Sequence, residues 1–98
     1  MDISAFKASL ADETPSQGLD KAVRALWWVS KGDWHRAHKL AQEQDDPIGA
    51  WVHAHLHRVE GDLSNAAYWY RRADKPECTA SLEAEWDEIA TALLPLPD

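Results

Sequence analysis

Apolar side chains recur every three or four residues along most of this chain, and no segment shows the strict alternation of a half-buried β-strand. The helical spacing runs through five successive segments. Their apolar stripes are formed by Leu19, Ala22, Val23, Leu26 and Val29; by Trp34, Ala37, Leu40 and Ala41; by Ile48, Trp51, Val52, Leu56 and Val59; by Leu63, Ala66, Ala67 and Tyr70; and by Leu82, Trp86, Ile89, Ala90 and Leu93. Trp27 falls at the edge of the first stripe, and Ile3, Phe6 and Leu10 add a short N-terminal helix. The pattern predicts an all-α protein.

Two Gly-Asp pairs divide the helical segments. Gly32-Asp33 and Gly61-Asp62 each follow one helical segment and directly precede another. Glycine adopts the left-handed conformation that closes a helix end, and the aspartate after it accepts hydrogen bonds from the free N–H groups of the next helix. Because no residue separates the end of one helix from the start of the next, each pair predicts a tight antiparallel hairpin.

These signals divide a single domain into two hairpins and a capping helix. Hairpin 1 is expected at about residues 19–45, hairpin 2 at about 47–74, and an amphipathic capping helix at about 79–94, ended by Pro95 and Pro97. The side of the capping helix opposite its apolar stripe is acidic and is expected to face water. Its charged residues are Glu83, Glu85, Asp87 and Glu88.

The second hairpin repeats the first, since Gly61 follows Gly32 by 29 residues. The same shift aligns Val23 with Val52, Ala25 with Ala54, Ala37 with Ala66 and Pro47 with Pro76. The pattern that starts at Gly61-Asp62-Leu63 resembles the second helix of the tetratricopeptide repeat (TPR) family, and it continues with Ala66, Tyr70, Ala73 and Pro76. Hairpin 1 matches it partly, with Ala41 and Gln44 where an aromatic residue and an alanine are expected. The period of the family is about 34 residues, so both units here are short.

The resemblance covers about residues 19–76, and it implies a fold and a function class. The implied fold is two stacked antiparallel TPR-like hairpins, with the last helix as a solvating cap. The implied function is a small non-catalytic module that binds a protein or peptide partner and carries no cofactor. Two units and a cap are near the minimum for a stable array, which makes a homodimer plausible.

A candidate partner-binding face follows from the resemblance, because the first helices of such arrays line the concave side. Arg24 and Trp28 on the first helix of hairpin 1 align with His53 and His57 in hairpin 2. These four side chains are expected to form a polar and aromatic patch that contacts a partner. Packing against the N-terminal segment or against a second copy is the alternative explanation.

Aromatic residues in hairpin 2 offer a second candidate binding surface. Tyr68, Trp69 and Tyr70 are consecutive and precede Arg71-Arg72. Consecutive helical residues cannot share one face, so Tyr70 is assigned to the core, whereas Tyr68 and Trp69 are expected to be partly exposed. Interfaces are enriched in tyrosine, tryptophan and arginine, which is why Tyr68 and Trp69 are partner-binding candidates.

A metal site is the alternative function, and it rests on histidine spacing. His53 and His57 are four residues apart and share a helix face, and Glu60 extends that face by another turn. Two imidazoles and a carboxylate can hold a divalent metal. His35 and His38 contribute only if they face the same way. The alternative explanation is a structural pair of His57 and Glu60.

Charge and composition exclude several other classes. The net charge of −7 argues against binding to nucleic acid or to an anionic membrane, and Cys78 has no partner for an internal disulfide. The N-terminus lacks a basic start followed by an apolar run, so we expect a cytoplasmic protein. His55 points onto the buried stripe and is predicted to be a core histidine with a hydrogen-bond partner.

Overall fold

The computed structural model describes residues 1–94, which form α-helices and no β-strands. The helices are α1 (Ile3–Ala8), α2 (Lys21–Ser30), α3 (Trp34–Glu43), α4 (Pro47–Glu60), α5 (Leu63–Ala73) and α6 (Leu82–Leu93). A 3₁₀ turn (Ser9–Ala11) follows α1. The predicted all-α class is confirmed. None of the helices within residues 1–94 is long and apolar enough to cross a bilayer.

The corner between α4 and α5 has the conformation that the sequence predicts. Gly61 lies in the left-handed region with φ 87°, and its N–H donates to the carbonyl of Arg58 at 3.0 Å. The N–H of Asp62 donates to the carbonyl of His57 at 2.9 Å, which completes the paired hydrogen bonds of a Schellman helix end. The Asp62 carboxylate then accepts from the N–H of Asn65 at 3.2 Å and caps α5.

The corner between α2 and α3 is built in the same way. Gly32 also has φ 87°, and the N–H of Asp33 donates to the carbonyl of Trp28 at 3.0 Å. The Asp33 carboxylate accepts from the N–H of Arg36 at 3.1 Å. Both Gly-Asp pairs therefore reverse the chain within two residues.

The helices pack as two hairpins that share a core. Helix α2 lies against α3 and α4 lies against α5, while α3 also packs on α4. Helix α6 crosses α4 and α2, and α1 contacts α6. The indole of Trp86 on α6 fixes this crossing, because its N–H donates to the carbonyl of Leu26 at 2.8 Å and its ring stacks on Phe6 at 5.6 Å.

Several residues of the predicted stripes lie at the surface instead of in the core. Ile48, Val59, Leu63 and Leu82 are 39%, 38%, 65% and 40% exposed. All four lie in the first or last turn of their helix, where the neighbouring helices no longer cover them. Trp27, assigned to the edge of its stripe, is fully buried because the N-terminal segment covers it, and its indole N–H donates to Oγ of Ser9 at 3.1 Å.

Helix α6 differs from the prediction at its start and on its polar side. It begins at Leu82, not near Thr79, because the Ser81 hydroxyl caps it by accepting from the N–H of Ala84 at 3.0 Å. Glu85, expected to face water, is only 1% exposed. It lies four residues before the buried Ile89, which places it on the inward face. Pro95 and Pro97, expected to end this helix, lie outside the described residues.

Gln44 ties three helix ends together. Its side-chain carbonyl accepts from the N–H of Ala22 at 2.7 Å and so caps α2, for which Asp20 makes no side-chain cap. Its amide nitrogen lies 3.2 Å from a carboxylate oxygen of Asp46, the residue that caps α4. Gly49 passes directly beneath the backbone carbonyl of Gln44, where a Cβ atom on residue 49 would lie 1.9 Å from the backbone oxygen. The short connection between the hairpins therefore depends on both residues.

Candidate metal centre

Three helices bring histidine and tryptophan side chains together on one side of α4. His53 and His57 project from the same face of α4, as their spacing predicts. Helix α3 turns His38 toward them, and α5 contributes Trp69. His53 and His57 are each only 4% exposed, whereas His38 is partly exposed. The cluster is therefore enclosed by protein on most sides.

The ring nitrogens of the three histidines converge. Nε2 of His53 lies 2.9 Å from Nε2 of His38, so one ring donates a hydrogen bond to the other. One ring nitrogen from each of His38, His53 and His57 lies within 4.8 Å of the other two. These three side chains are called the histidine cluster below.

Glu60 orients the third ring of the histidine cluster. Its carboxylate lies 2.6 Å from Nδ1 of His57, one helical turn away. When Nδ1–H donates to this carboxylate, Nε2 of His57 keeps its lone pair. A carboxylate behind an imidazole is the usual arrangement that fixes the tautomer of a metal-binding histidine.

Two indole rings form the walls of the histidine cluster. Trp34 stacks on His38 with the ring centroids 4.7 Å apart, and Trp69 stacks on His53 at 3.8 Å. The indole N–H of Trp34 donates to the carbonyl of Leu56 at 2.7 Å, which anchors α3 to α4. The rings leave little freedom for His38 and His53 to rotate.

Two members of the histidine cluster, His38 and His53, are uncharged at pH 7. Burial and, to a smaller extent, the neighbouring His38 and His57 together lower the pKa of His53 to about 4. Burial also lowers the pKa of His38, assisted by His57. Uncharged imidazoles offer lone pairs, which is the state that binds a metal ion.

The distances in the histidine cluster are close to those of a zinc site. With Zn–N bonds of about 2.0–2.1 Å, the ligand nitrogens of a tetrahedral site lie about 3.3–3.4 Å apart. The observed 2.9 Å between His38 and His53 is shorter than this value, and a ring nitrogen of His57 lies within 4.8 Å of both. Small side-chain adjustments are therefore enough to bring the three nitrogens to metal-binding distance.

A pocket gives solvent a route to the histidine cluster. It has a volume of about 220 Å³ and lies beside His53 and Trp69, between the end of α3 and the side of α5. Asp45, Asp46 and Arg72 supply its charged lining. His53 therefore borders a solvent-filled pocket on this side of the protein.

The members of the predicted partner-binding face make different contacts in the structure. Arg24 donates to the carbonyl of Leu19 at 3.1 Å, and Trp28 lies under the guanidinium of Arg36 at 4.2 Å. His53 and His57 instead point into the space between α3 and α5, where they are buried. Partner binding by this set stays a prediction.

The predicted metal ligands also occupy different roles. The structure brings His53 and His57 together with His38, while Glu60 contacts His57 from behind. His57 and Glu60 also lie near Asp62 in a second group of possible ligands. Sequence spacing contained a signal for His38, because it follows the inward-facing Trp34 by four residues and therefore shares its side of α3.

On the opposite face of α4, a buried polar network surrounds Glu85. His55 Nδ1 and the Arg58 guanidinium each lie 2.7 Å from the same carboxylate oxygen, and the Tyr70 hydroxyl donates to the other oxygen. Burial alone raises the pKa of Glu85, but the hydrogen bonds from His55, Tyr70 and Arg58 outweigh it and bring the pKa to about 2. The predictions of a core His55 and a core Tyr70 are confirmed, since each is 2% exposed.

Comparisons with protein-family models, with curated proteins and with solved structures give no match for this chain. The TPR resemblance therefore stays a prediction about the hairpins. The chemistry of the enclosed side chains is the main guide to function.

Proposed function

We propose that this protein binds a divalent transition-metal ion, with His38, His53 and His57 as its ligands. The observation that carries the proposal is the convergence of one ring nitrogen from each histidine within 4.8 Å, inside the folded chain. Imidazole nitrogen suits zinc, copper, nickel and iron, and zinc is the ion that such sites hold most simply because it imposes no geometric preference.

The state of the three rings supports metal binding over a purely structural role. The lowered pKa values of His53 and His38 keep both rings uncharged at pH 7. Nε2 of both rings points at the same place, so in the absence of a metal the two nitrogens share one proton. For a metal ion to be bound by both lone pairs, the donor ring moves this proton to its own Nδ1, so that both rings stay neutral.

Glu60 has a supporting role in this proposal. Its hydrogen bond to Nδ1 of His57 leaves Nε2 as the ring nitrogen available to a metal and raises the basicity of that nitrogen. Three protein ligands leave a coordination position of zinc for water or another ligand. We assign no reaction to that position.

Zinc titration of metal-free, tag-free protein tests the proposal. Isothermal titration calorimetry is expected to show one zinc ion per chain, and cobalt(II) should give the visible absorption of a tetrahedral nitrogen site. His38→Ala and His53→Ala should each weaken zinc binding by at least about 100-fold, and Glu60→Gln by about 10- to 100-fold.

His35→Ala is the matched control, because His35 lies on the same helix as His38 but is exposed. It should bind zinc like the wild type. Equal affinities of the His35 and His53 variants, or no saturable zinc binding at all, would refute the proposal. Circular dichroism of each variant establishes that the fold is retained.

A surface on α5 favours a second role, in which the chain associates with another copy of itself. Tyr68 is 43% exposed, and its hydroxyl accepts from Nη1 of Arg72 at 3.0 Å. The Arg72 guanidinium also lies 5.1 Å from the ring of Trp69, so the three side chains present a pre-ordered surface of the composition that interfaces favour. Sedimentation velocity should detect a dimer that Tyr68→Ala weakens; a monomer at every concentration would contradict this role.

A further inference from the structure

A groove on the other side of α4 is lined by apolar side chains and has one histidine at its base. It has a volume of about 510 Å³ and lies between α1, α2, α4 and α6. Its apolar lining comes from Leu10, Val29, Val59, Leu82 and Trp86. Volume and lining are in the range of small-molecule sites. Val59 and Leu82 are among the few large apolar residues that are exposed, and both border this groove.

The histidine at the base of the groove is His55. Its side chain is 98% enclosed, with an exposed fraction of 2%, and Nδ1 is occupied by the Glu85 carboxylate at 2.7 Å. Within residues 1–94, Nε2 has no hydrogen-bond partner, yet every fully enclosed side-chain nitrogen or oxygen there has one. Nε2 is therefore not sealed in the core. It reaches the surface of the groove that His55 lines.

The hydrogen bonds around Glu85 determine which kind of group Nε2 accepts. The carboxylate already accepts from Arg58 and from the Tyr70 hydroxyl, so it is ionised and Nδ1 of His55 must be the donor to it. When Nδ1 carries the single ring proton, the lone pair lies on Nε2, the ring nitrogen that is left for a ligand. The base of the groove thus presents one directed acceptor in apolar surroundings.

The charges at the rim of the groove argue for a neutral ligand. Glu83 and Asp87 line it, and both are acidic. The one cation in its lining, within the described chain, is Lys7, whose ammonium group lies 2.9 Å from Asp87. A carboxylate or phosphate would meet negative charge here without a free cation to offset it.

We propose that this groove binds a small neutral molecule with an apolar body and one hydroxyl group, an alcohol or a phenol, whose O–H donates to Nε2 of His55. The apolar body contacts Val59, Leu82 and Trp86. The Glu85 network holds the imidazole in place and fixes its tautomer, in the way that a carboxylate positions a histidine in many binding sites. The site does not depend on the histidine cluster, which lies on the opposite face of α4.

Three matched probes test this site: 2-naphthol, naphthalene and 2-naphthoate. 2-Naphthol is expected to bind with a dissociation constant between about 10 µM and 1 mM and to shift amide signals of residues that border the groove. It should also shift the ¹⁵Nε2 resonance of His55. Naphthalene should bind about tenfold more weakly, because it lacks the hydroxyl, and 2-naphthoate more weakly than 2-naphthol.

Two tryptophan substitutions separate this groove from general surface binding. Val59→Trp fills the groove while leaving every side chain of the Glu85 network in place, and it should weaken 2-naphthol binding at least about tenfold. Leu63→Trp adds similar bulk at a residue that is 65% exposed and does not line the groove, and it should leave binding unchanged.

His55→Phe should make 2-naphthol and naphthalene bind equally, and if this variant does not fold, Val59→Trp decides the question. Four results would overturn the proposal. They are no saturable binding of 2-naphthol, equal binding of naphthalene by the wild type, tighter binding of 2-naphthoate, and equal effects of the two tryptophan substitutions.

Discussion

Nε2 of His38 on α3 lies 2.9 Å from Nε2 of His53 on α4, and one proton is shared between these two nitrogens. This contact joins the first hairpin to the second inside a wall of two indole rings. A second proton between these nitrogens would set two N–H donors against each other and place a positive charge in a largely enclosed space. Protonation of the histidine cluster should therefore make the stability of the protein depend on pH.

Acid should destabilise the fold through His53. Its pKa falls from the ordinary value of 6.5 to about 4 in the folded chain, so between these values the unfolded chain binds more protons. The contribution of His53 to stability is complete above pH 6.5 and is lost as the pH falls toward 4. The loss is no more than about 3 kcal/mol, and less where water screens the ring.

Urea unfolding between pH 4 and pH 8 measures this loss. His53→Asn should flatten the pH dependence in that window, while His35→Asn, at an exposed position, should not. An unchanged pH dependence in the His53 variant would contradict the assignment.

Removal of the buried carboxylate at Glu85 should be far more costly than removal of its exposed neighbour. Glu85→Ala leaves Arg58 without its buried partner and should lower the free energy of unfolding by about 3–5 kcal/mol. Glu83 lies two residues earlier on the same helix and is exposed, so Glu83→Ala should change the free energy of unfolding by no more than about 0.5 kcal/mol. Denaturant melts of both variants make the comparison; similar values would show that Glu85 is not the centre of the network.

Glu85 also predicts a second, more acidic step of destabilisation. Its pKa falls from the ordinary value of 4.5 to about 2 in the folded chain, so the unfolded chain binds more protons between these values. The stability that Glu85 contributes is present above pH 4.5 and is lost as the pH falls toward 2. Acid unfolding followed by circular dichroism should show this step in the His53→Asn variant and lose it in Glu85→Gln.

Alanine at Gly49 should disrupt the connection between the hairpins. Its Cβ would lie 1.9 Å from the backbone carbonyl oxygen of Gln44, so the backbone must move. We expect a loss of about 2 kcal/mol or more. Gly18→Ala is the matched control, since nothing lies within 4 Å of a Cβ there. Thermal melts should separate the two variants, and equal melting temperatures would mean that α4 does not pass beneath Gln44.

Left-handed residues at two helix ends should respond to substitution in opposite directions. Gly61→Ala places a Cβ on a residue with φ 87° and should cost about 1 kcal/mol, although no atom lies within 4 Å of the added carbon. Asp74, at the end of α5, is the one residue other than glycine in this conformation within the described chain, with φ 57°. Asp74→Gly removes the strain and a negative charge from a helix C-terminus, and should stabilise the protein by about 0.5–1 kcal/mol.

Chemical denaturation of these two variants provides the measurement. A destabilised Asp74→Gly protein would show that the Asp74 side chain makes a contact that outweighs the strain. A Gly61→Ala protein as stable as the wild type would contradict the corner itself.

Local signals in the sequence were enough for the helices and their ends. The span of α4 follows from Asp46-Pro47 at its start and Gly61 at its end, because capping and turn formation use atoms within a few residues of each other. The pairing of His53 with His57 on one face also follows from spacing alone. The buried position of His55 follows for the same reason.

The partners of these side chains come from other helices, and local spacing does not encode which faces meet. His38 contacts His53 only because α3 packs on α4 at a particular rotation, with Trp34 stacked on His38. In the sequence, Glu85 belongs to a run of acidic residues that is typical of a solvated helix face. It is buried because α6 packs on α4 and places it against His55 and Arg58.

The sequence by itself determined where the chain forms helices, where it reverses and which histidines share a face of α4. Only the tertiary structure decided that His38 completes a cluster on one side of α4 and that Glu85 supports His55 on the other. The physical reason is that caps and corners are short-range interactions, whereas the meeting of two buried polar groups depends on the angle and rotation at which whole helices pack.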